Sequence, residues 1–208
     1  MGKEEVMDLR FFNVRSLIRS GAEDIVAEYI STFSCEKDRL DGTHNSLNPD
    51  IEDFLQNNAI QFSRMKTAIT YLLIDKDDSA LLGYFTVAHK PLIILADGIS
   101  RKAKDKIKRF STLDETTNSY TVSAFLIAQF AKNYNIENGE RISGKQLMNA
   151  VKEKLRSFRD QVGGTLAYLD CEPNAELIKF YESEGFTLFG ERISENDGKR
   201  YLQYLTFI

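Results

Sequence analysis

The chain has 208 residues, of which 42% are hydrophobic, 11% aromatic and 28% charged. This composition supplies a sizeable buried core and excludes an intrinsically disordered chain. The formal net charge of -4 excludes a broadly basic surface for nucleic acid, while a local basic patch stays compatible with it.

The cysteines and histidines are too scattered for a disulfide framework or a metal site. They are Cys35, His44, His89 and Cys171, whereas a zinc site needs closely spaced pairs, so we expect no metal. Two distant cysteines favour a reducing, cytoplasmic setting. The opening MGKEEVMDL has acids where a signal peptide is apolar, and no run approaches the roughly 18 apolar residues of a membrane span.

The first part of the chain predicts two helices after an opening strand. Residues 7–19 indicate a strand and its exit, and Ser20 with Glu23 forms an S-x-x-E capping box for a helix that reaches about residue 36. A polar loop leads to Asn48-Pro49, a typical helix start. The apolar side of this second helix is predicted from Ile51, Leu55, Phe62 and Met65.

A predicted hairpin follows these helices. Its strands lie at 68–74 and 81–88, joined by a turn at 75–79, and residues 91–95 are expected to extend the sheet edge. Residues 100–110 predict a helix, because Ala103, Ile107 and Phe110 share one side. Residues 111–119 are expected to form a loop.

The rest of the chain alternates strands and helices. Apolar runs at 121–130 and 165–170 predict buried strands. Between them, a helix starts at a Ser143–Gln146 capping box and ends at Gly163-Gly164. Asn174 opens a short helix that ends at Gly185, and the final strands, 186–193 and 200–208, flank a turn at 196–198.

This order of elements predicts one α/β domain over residues 1–208. The N-terminal hairpin implies antiparallel pairing, while the strand–helix–strand portion implies parallel pairing with a right-handed crossover. We therefore expect a single mixed sheet.

The start of the helix after strand 121–130 is a candidate anion site. A helix start offers unpaired N–H groups and a partial positive charge, for which phosphate is a common ligand. Gly144 in the first turn would let a phosphate approach the backbone, and Lys145 would add charge. Because ordinary capping boxes look the same, the pattern alone leaves a purely structural interpretation open. The sequence has neither the P-loop nor the dinucleotide-binding glycine motif.

The segment CEPNAELIKFYESEGF, residues 171–186, carries an asparagine followed at fixed spacing by Phe-Tyr-Glu-x-x-Gly-Phe. These positions are Asn174, Phe180, Tyr181, Glu182, Gly185 and Phe186. The motif resembles the hallmark of the GCN5-related N-acetyltransferases, the GNAT superfamily. The run LIAQFAK at 126–132 is similar to that family's fourth strand, commonly L-I-G-Q-L-A-V, and is closest to the branch related to bacterial toxins.

The resemblance implies a fold and a cosubstrate. The fold is a single-domain mixed sheet with helices on both faces and a splayed central pair of parallel strands. The cosubstrate is acetyl-CoA, whose pantetheine arm would insert beside strand 165–170 and pair with the amides of Phe130, Ala131 and Lys132. Asn174 would approach the same arm. The pyrophosphate would lie on the loop and helix start, at Gly139, Arg141, Ile142, Ser143, Gly144 and Lys145.

The chain departs from the family pattern around this loop. The family commonly has Q/R-x-x-G-x-G/A, but here Ile142 replaces the middle glycine and Gly139 stands at the Gln/Arg position. The alternative alignment on Arg141 leaves Gln146 at the last small position. The loop is also longer than usual, and Lys132 replaces an apolar residue. These departures leave open which amides hold the pyrophosphate.

The resemblance also implies that Tyr181 is the general acid that protonates the leaving thiolate. Such chemistry needs a neutral amine, an oxyanion donor and a proton for sulfur, without a covalent intermediate. The general base stays open among Asp170, Glu172 and Glu182, which lie nearby in sequence. Tyr181 could instead be part of the core, and Asn174 only a helix cap.

A run of cations forms the densest positive patch of this acidic chain: Arg101, Lys102, Lys104, Lys106, Lys108 and Arg109. It is either a solvated helix face or a surface for RNA phosphates or an acidic protein. The leading hypothesis is an N-acetyltransferase that modifies a primary amine of an unidentified acceptor: a small molecule, a peptide or aminoacyl-tRNA. The alternatives are a toxin-type enzyme that acetylates aminoacyl-tRNA, and a non-catalytic CoA-binding or interaction module. A homodimer and an antitoxin partner are left open.

Overall fold

The computed structural model describes residues 9–35, 49–135, 141–195 and 198–208. Its strands are β1 (Leu9–Asn13), β2 (Ile69–Asp75), β3 (Leu81–Leu95), β4 (Leu113–Asp114), β5 (Ser119–Lys132), β6 (Leu166–Cys171), β7 (Thr187–Ile193) and β8 (Arg200–Phe207). Its α-helices are α1 (Val14–Arg19), α2 (Glu23–Ser31), α3 (Pro49–Asp53), α4 (Ala59–Met65), α5 (Arg101–Ile107), α6 (Gly144–Val162) and α7 (Ala175–Ser183).

The strands form one mixed sheet. Their order is β1-β2-β3-β5-β6-β8-β7, and β4 pairs with β5. Strands β5 and β6 are parallel, with Ala124 to Leu126 opposite Leu166 to Tyr168. The pairs β1–β2, β2–β3, β6–β8 and β7–β8 are antiparallel. The predicted mixed α/β sheet, with one parallel pair beside antiparallel hairpins, is therefore confirmed.

The chain divides into two compact units. The first comprises residues 1–87 and 128–149. Its core joins α1, α2 and the α3–α4 segment to strands β2 and β3, with Val14, Val26, Leu55, Leu72 and Tyr84 fully buried. Burial of these aliphatic and aromatic side chains is the main force that stabilises this unit.

The second unit comprises residues 88–127 and 150–208. Its core gathers one side of the sheet against α5, with Ile94, Ile107, Tyr120, Ala124 and Leu166 almost completely buried. Ser100 caps α5 by accepting a hydrogen bond from the Ala103 N–H at 3.2 Å. The prediction of one domain over residues 1–208 stays a prediction.

Two sequence predictions about the first helices are wrong. Residues 14–19 form helix α1 rather than the exit of a strand, and Ser20 ends that helix. Its hydroxyl donates to the Leu17 carbonyl, so it does not cap α2, which begins after Ala22 without a side-chain cap. The capping-box prediction is wrong because the Ser20 hydroxyl is used at the C-terminal end of α1.

The second predicted helix is interrupted. A π-helical turn, Phe54–Asn58, separates α3 from α4. The wider turn shifts the helical register, so the predicted apolar side does not continue: Leu55 is buried, whereas Met65 is exposed. Asn48, the predicted cap, lies outside the described residues.

Strand β3 is a single run through Leu95, and the predicted loop 111–119 contains the short strand β4. Phe110 is exposed, because α5 ends at Ile107. The predicted helices that begin at Ser143 and Asn174 are present, and Gly163, Gly164 and Gly185 have the positive φ angles that end them. None of the helices among the described residues is long and apolar enough to cross a membrane.

Candidate active site

The end of β5 is held against β3 by a very close backbone approach at Gly83. A side chain at this position would come within 2.7 Å of the Ala131 carbonyl oxygen and 3.3 Å of Lys132 Cα. It would also lie 3.4 Å from the side chain of Leu147, in the first turn of α6. Only glycine fits here. The predicted pantetheine strand, Phe130 to Lys132, and the predicted phosphate helix therefore meet the same point of β3.

Asn133 locks the chain immediately after this strand. Its side chain is 3% exposed, and its amide group donates to the carbonyls of Thr32 and Leu81 at 3.1 and 2.8 Å. Its side-chain oxygen accepts from the N–H groups of Ser34 and Asn135 at 2.9 and 3.0 Å. All four hydrogen-bonding positions of the buried amide are used, which fixes where β5 ends.

The start of α6 is a complete capping box. The Gln146 N–H donates to the Ser143 hydroxyl at 3.1 Å, and the Gln146 side-chain oxygen accepts from the Ser143 N–H at 2.8 Å. Within the described part of the chain, the N–H groups of Gly144 and Lys145 have no hydrogen-bond partner. Two first-turn donors thus stay available to an anion, as the sequence predicts for this position.

The residues flanking those donors have other partners. The Arg141 guanidinium binds both oxygens of Asp78 and one oxygen of Asp75, so its charge is already compensated. Ile142 is 2% exposed and anchors the helix start in the core. Arg141 and Ile142 can therefore contribute backbone groups to an anion site, while Lys145 is exposed and unpaired within residues 9–35, 49–135, 141–195 and 198–208. Gly139, another predicted site residue, lies outside the described residues.

Tyr181 lies on α7 within a cluster of aromatic rings in the second unit. Its ring contacts those of Phe180, Phe186 and Tyr204, with centroids 5.2, 5.8 and 6.4 Å away. Burial raises the pKa of the Tyr181 phenol well above its ordinary value, and the nearby Cys171 thiol adds to this effect. No described residue hydrogen-bonds to its hydroxyl. A tyrosine phenol is protonated at neutral pH even at its ordinary pKa of about 10, and the raised pKa extends this form to more alkaline pH. The hydroxyl can therefore donate a proton.

Asn174 has the capping role that its position predicts. Its side-chain oxygen accepts from the N–H groups of Glu176 and Leu177 at 2.8 and 3.3 Å. The side-chain NH2 group has no partner among the described residues, and the residue is exposed. Capping thus leaves one donor group of Asn174 for a ligand.

The candidate bases are differently engaged. Both oxygens of Asp170 accept hydrogen bonds, one from Arg192 at 2.8 Å and the other from Gln203 at 3.1 Å. Glu172 is exposed and faces Lys199 at 3.4 Å. Glu182 accepts a long hydrogen bond of 3.5 Å from the Tyr204 hydroxyl. Asp170 is the least available of the three because its acceptor positions are filled.

The basic run lies on and just after α5. Apart from a cation–π contact of Lys106 with the Phe207 ring at 4.4 Å, its six cations have no partner among the described residues. The described residues also contain no cluster of metal-ligating side chains. The α5 surface is therefore an uncompensated positive patch on an acidic protein.

Sequence reasoning missed three contacts. Two lie in the first unit: the close approach at Gly83, and the Asp75 and Asp78 partners of Arg141. The third, in the second unit, is a buried ion pair between Lys152 and Glu184. Their partners lie 32 or more residues apart in sequence. No local pattern links such positions, so only the folded chain shows them.

No protein-family model and no curated protein sequence matches this chain. Solved structures do match. AtaT complexed with acetyl-methionyl-tRNAfMet is 16% identical with a TM-score of 0.59, and the match covers 94% of each chain. A tyrosine-to-phenylalanine mutant of KacT is 15% identical with a TM-score of 0.61, covering 96% of this chain and 94% of that one. AtaTR bound with acetyl-CoA is 15% identical with a TM-score of 0.54, covering 96% and 93%.

The chain adopts the GNAT fold. The chain shares this fold with AtaT, with KacT and with a bacterial toxin, so the resemblance drawn from the motif at 174–186 and the strand at 126–132 is confirmed at the level of the fold. At 14–16% identity, the GNAT fold carries no residue roles with it. Those roles depend on the contacts described above.

Proposed function

We propose that the protein is an acetyl-CoA-dependent N-acetyltransferase. The observation that carries the proposal is Tyr181: on a GNAT fold, it presents a half-buried phenol that is protonated at neutral pH and has no hydrogen-bond partner among the described residues. Tyr181 is half-buried, and its hydroxyl oxygen is not sealed inside the protein, so a bound substrate can reach it. An unused donor suits a group that passes its proton to a substrate.

The cosubstrate roles fall on the groups that the sequence predicts. The first-turn N–H groups of Gly144 and Lys145 hold the pyrophosphate, assisted by the backbone of Arg141 and Ile142 and by Gly139, while Ser143 shapes the site as the cap of α6. The backbone amides of Phe130, Ala131 and Lys132 pair with the pantetheine arm and polarise the thioester carbonyl. The open NH2 group of Asn174 donates to the same arm. Support comes from donors at Gly144, Lys145 and Asn174 that have no partner among the residues that the structure describes.

The reaction proceeds in two bond changes. A neutral amine attacks the acetyl carbonyl, forming the C–N bond and a tetrahedral oxyanion that backbone amides stabilise. Collapse breaks the C–S bond, and the thiolate takes the Tyr181 proton. The proton lost by the acceptor nitrogen leaves to solvent, and the tyrosinate is reprotonated from it. The products are an N-acetyl amide and free CoA.

Aminoacyl-tRNA is the acceptor that the chain's surface favours. The uncompensated cations of α5 suit RNA phosphates. A protein of the same fold, AtaT, has been captured with acetyl-methionyl-tRNAfMet, which supports the same acceptor class here. The alternatives are a small amine or a peptide acceptor, or a CoA-binding module without catalysis.

The test is acetyl transfer from isotopically labelled acetyl-CoA to three acceptor classes: polyamines, peptides with free N-termini, and a mixed pool of aminoacyl-tRNA. Mass spectrometry of the recovered acceptor identifies an N-acetylaminoacyl product after mild alkaline release. We expect label on the aminoacyl-tRNA pool and none on deacylated tRNA. Acetyl-CoA binding without transfer to any of the three classes would instead favour the non-catalytic module.

A further inference from the structure

A buried ion pair joins α6 to the end of α7 in the second unit. The Lys152 ammonium donates to a carboxylate oxygen of Glu184 at 2.7 Å and to the Glu184 main-chain carbonyl at 2.8 Å. The side chains are only 16% and 7% exposed, respectively. Lys152 therefore hydrogen-bonds to both the side chain and the backbone of Glu184, the residue that caps the C-terminal end of α7.

Stability alone gives little reason for such a pair. Removing two charges from water carries a large desolvation penalty, and apolar replacements of buried pairs are often as stable or more so. The pair does impose a geometry that apolar packing would not, because its two hydrogen bonds have defined directions. The two hydrogen bonds therefore fix the position of Glu184 relative to α6.

Both partners of Lys152 contact Tyr181. The Glu184 N–H is shared between the Phe180 carbonyl at 3.0 Å and the Tyr181 carbonyl at 3.1 Å, which closes the last turn of α7. The Phe186 N–H also donates to that carbonyl, at 3.0 Å, and the Phe186 ring packs edge-on against the Tyr181 ring. Lys152 lies 6.0 Å above the centre of that same Phe186 ring. One ammonium thus fixes the two residues that surround Tyr181 on its C-terminal side.

We infer that Lys152 is a positioning residue, which acts through Glu184 and Phe186 to aim the Tyr181 hydroxyl at the leaving sulfur. The inference rests on the proposed function, because it presumes that Tyr181 is the acid. Proton transfer depends steeply on geometry, so a small rotation of the tyrosine slows the step without removing any reacting group.

The test is a double-mutant cycle on the full chain, measured as the single-turnover rate at saturating acetyl-CoA. Lys152→Met should slow the rate by about 10- to 100-fold while leaving acetyl-CoA affinity within about twofold. Combined with Tyr181→Phe, Lys152→Met should cause no further slowing, because no hydroxyl remains to be aimed. Lys152→Arg, which keeps the charge and the donors, should recover part of the rate.

Two further variants keep the test decisive. If Lys152→Met fails to fold with Glu184 left unpaired, the double variant Lys152→Met/Glu184→Gln removes both charges together and enters the cycle instead. Lys179→Met makes the same side-chain change at an exposed position of α7 and should leave the rate unchanged.

The outcomes separate the two claims. A folded Lys152→Met protein with full rate, or one slowed equally with and without the Tyr181 hydroxyl, overturns the positioning role while leaving Tyr181 as the acid. Full rate in Tyr181→Phe alone overturns the role of Tyr181 as the acid, and with it the positioning role of Lys152. The proposed function itself fails if the unmodified protein binds acetyl-CoA but transfers acetyl to none of the three acceptor classes.

Discussion

Burial of Tyr181 among aromatic rings extends the pH range over which its phenol stays protonated. Because burial raises the pKa of this phenol above the ordinary tyrosine value of about 10, the acid form persists to more alkaline pH. We expect the single-turnover rate to rise with pH as the amine deprotonates and then to stay level to about pH 10.5. The measurement is a pH–rate profile, with circular dichroism at each pH to verify folding. A descending limb centred near the ordinary tyrosine pKa would contradict this assignment.

Asp75 links the hairpin of β2 and β3 to Arg141, in the segment that leads into α6. The Asp77 N–H and the Arg141 guanidinium hold the pKa of Asp75 below its ordinary value, against the opposing effect of burial. A depressed folded-state pKa stabilises the fold above the unfolded carboxyl pKa of about 3.9, and this stabilisation disappears as the pH falls through the folded value.

Asp75→Asn should therefore lower the melting temperature at neutral pH, and the deficit should shrink as the pH falls below about 4. Thermal melts of both proteins across this pH range provide the measurement. Asp78→Asn removes the more exposed partner of Arg141 and should cost less at neutral pH. A deficit for Asp75→Asn that stays constant through the acid range would show that the carboxylate charge does not stabilise the fold.

At the scale of elements, the two capping boxes show what a local pattern can and cannot predict. Ser143 and Gln146 cap α6 as their spacing indicates, because nothing upstream competes for the serine. Ser20 has the same local pattern but lies at the end of α1, where its hydroxyl binds Leu17. The sequence around residues 14–19 mixes strand and helix signals, so the competing helix was not predicted.

The start of α6 provides the most direct test of the phosphate site. Gly144→Asp places a carboxylate beside the open N–H groups, where it would repel a pyrophosphate. An acidic residue in the first turn of a helix is otherwise stabilising, so folding should not suffer. We expect acetyl-CoA affinity, measured by calorimetry, to fall at least tenfold in this variant.

Ser157→Asp adds the same charge at an exposed position further along α6 and is the matched control. It should bind acetyl-CoA like the unmodified protein. Equal acetyl-CoA affinities of the Gly144→Asp and Ser157→Asp variants would show that the pyrophosphate does not bind at this helix start.

At the scale of the whole molecule, the order of strands and helices could be predicted because hydrophobic runs and caps are local. The motif at 174–186 further predicted the GNAT fold. The close approach at Gly83, the Asn133 network and the Lys152–Glu184 pair could not be predicted, since each joins residues far apart in sequence. The π-helical turn at Phe54–Asn58 was not predicted either, because a single wider turn leaves no recognisable pattern in the sequence.

Charge distribution suggests where RNA would bind. The chain carries a net charge of -4, yet the α5 cations have no carboxylate partner among the described residues. Reversing Lys104 and Lys108 to Glu should spare acetyl-CoA affinity, weaken tRNA binding and reduce the slope of log K against log salt by about 2. Filter binding across a salt series measures this.

Reversal of Lys90 and Lys179, exposed lysines outside α5, changes the net charge equally and should alter the slope much less. Equal effects of both reversals would indicate that only net charge matters. Absence of tRNA binding by the unmodified protein at low salt would exclude aminoacyl-tRNA as the acceptor and favour a small amine or a peptide.

The central claim, acetyl transfer with Tyr181 as the acid, is tested most directly by one substitution. Tyr181→Phe removes one hydroxyl and conserves the packing volume, so the melting temperature and acetyl-CoA affinity should change little. Tyr120→Phe makes the same change in the core of the second unit and serves as the control. With aminoacyl-tRNA as acceptor, the account predicts that the single-turnover rate falls by roughly 10²–10⁴-fold for Tyr181→Phe and stays unchanged for Tyr120→Phe. A folded Tyr181→Phe protein that transfers acetyl at the full rate would contradict the account.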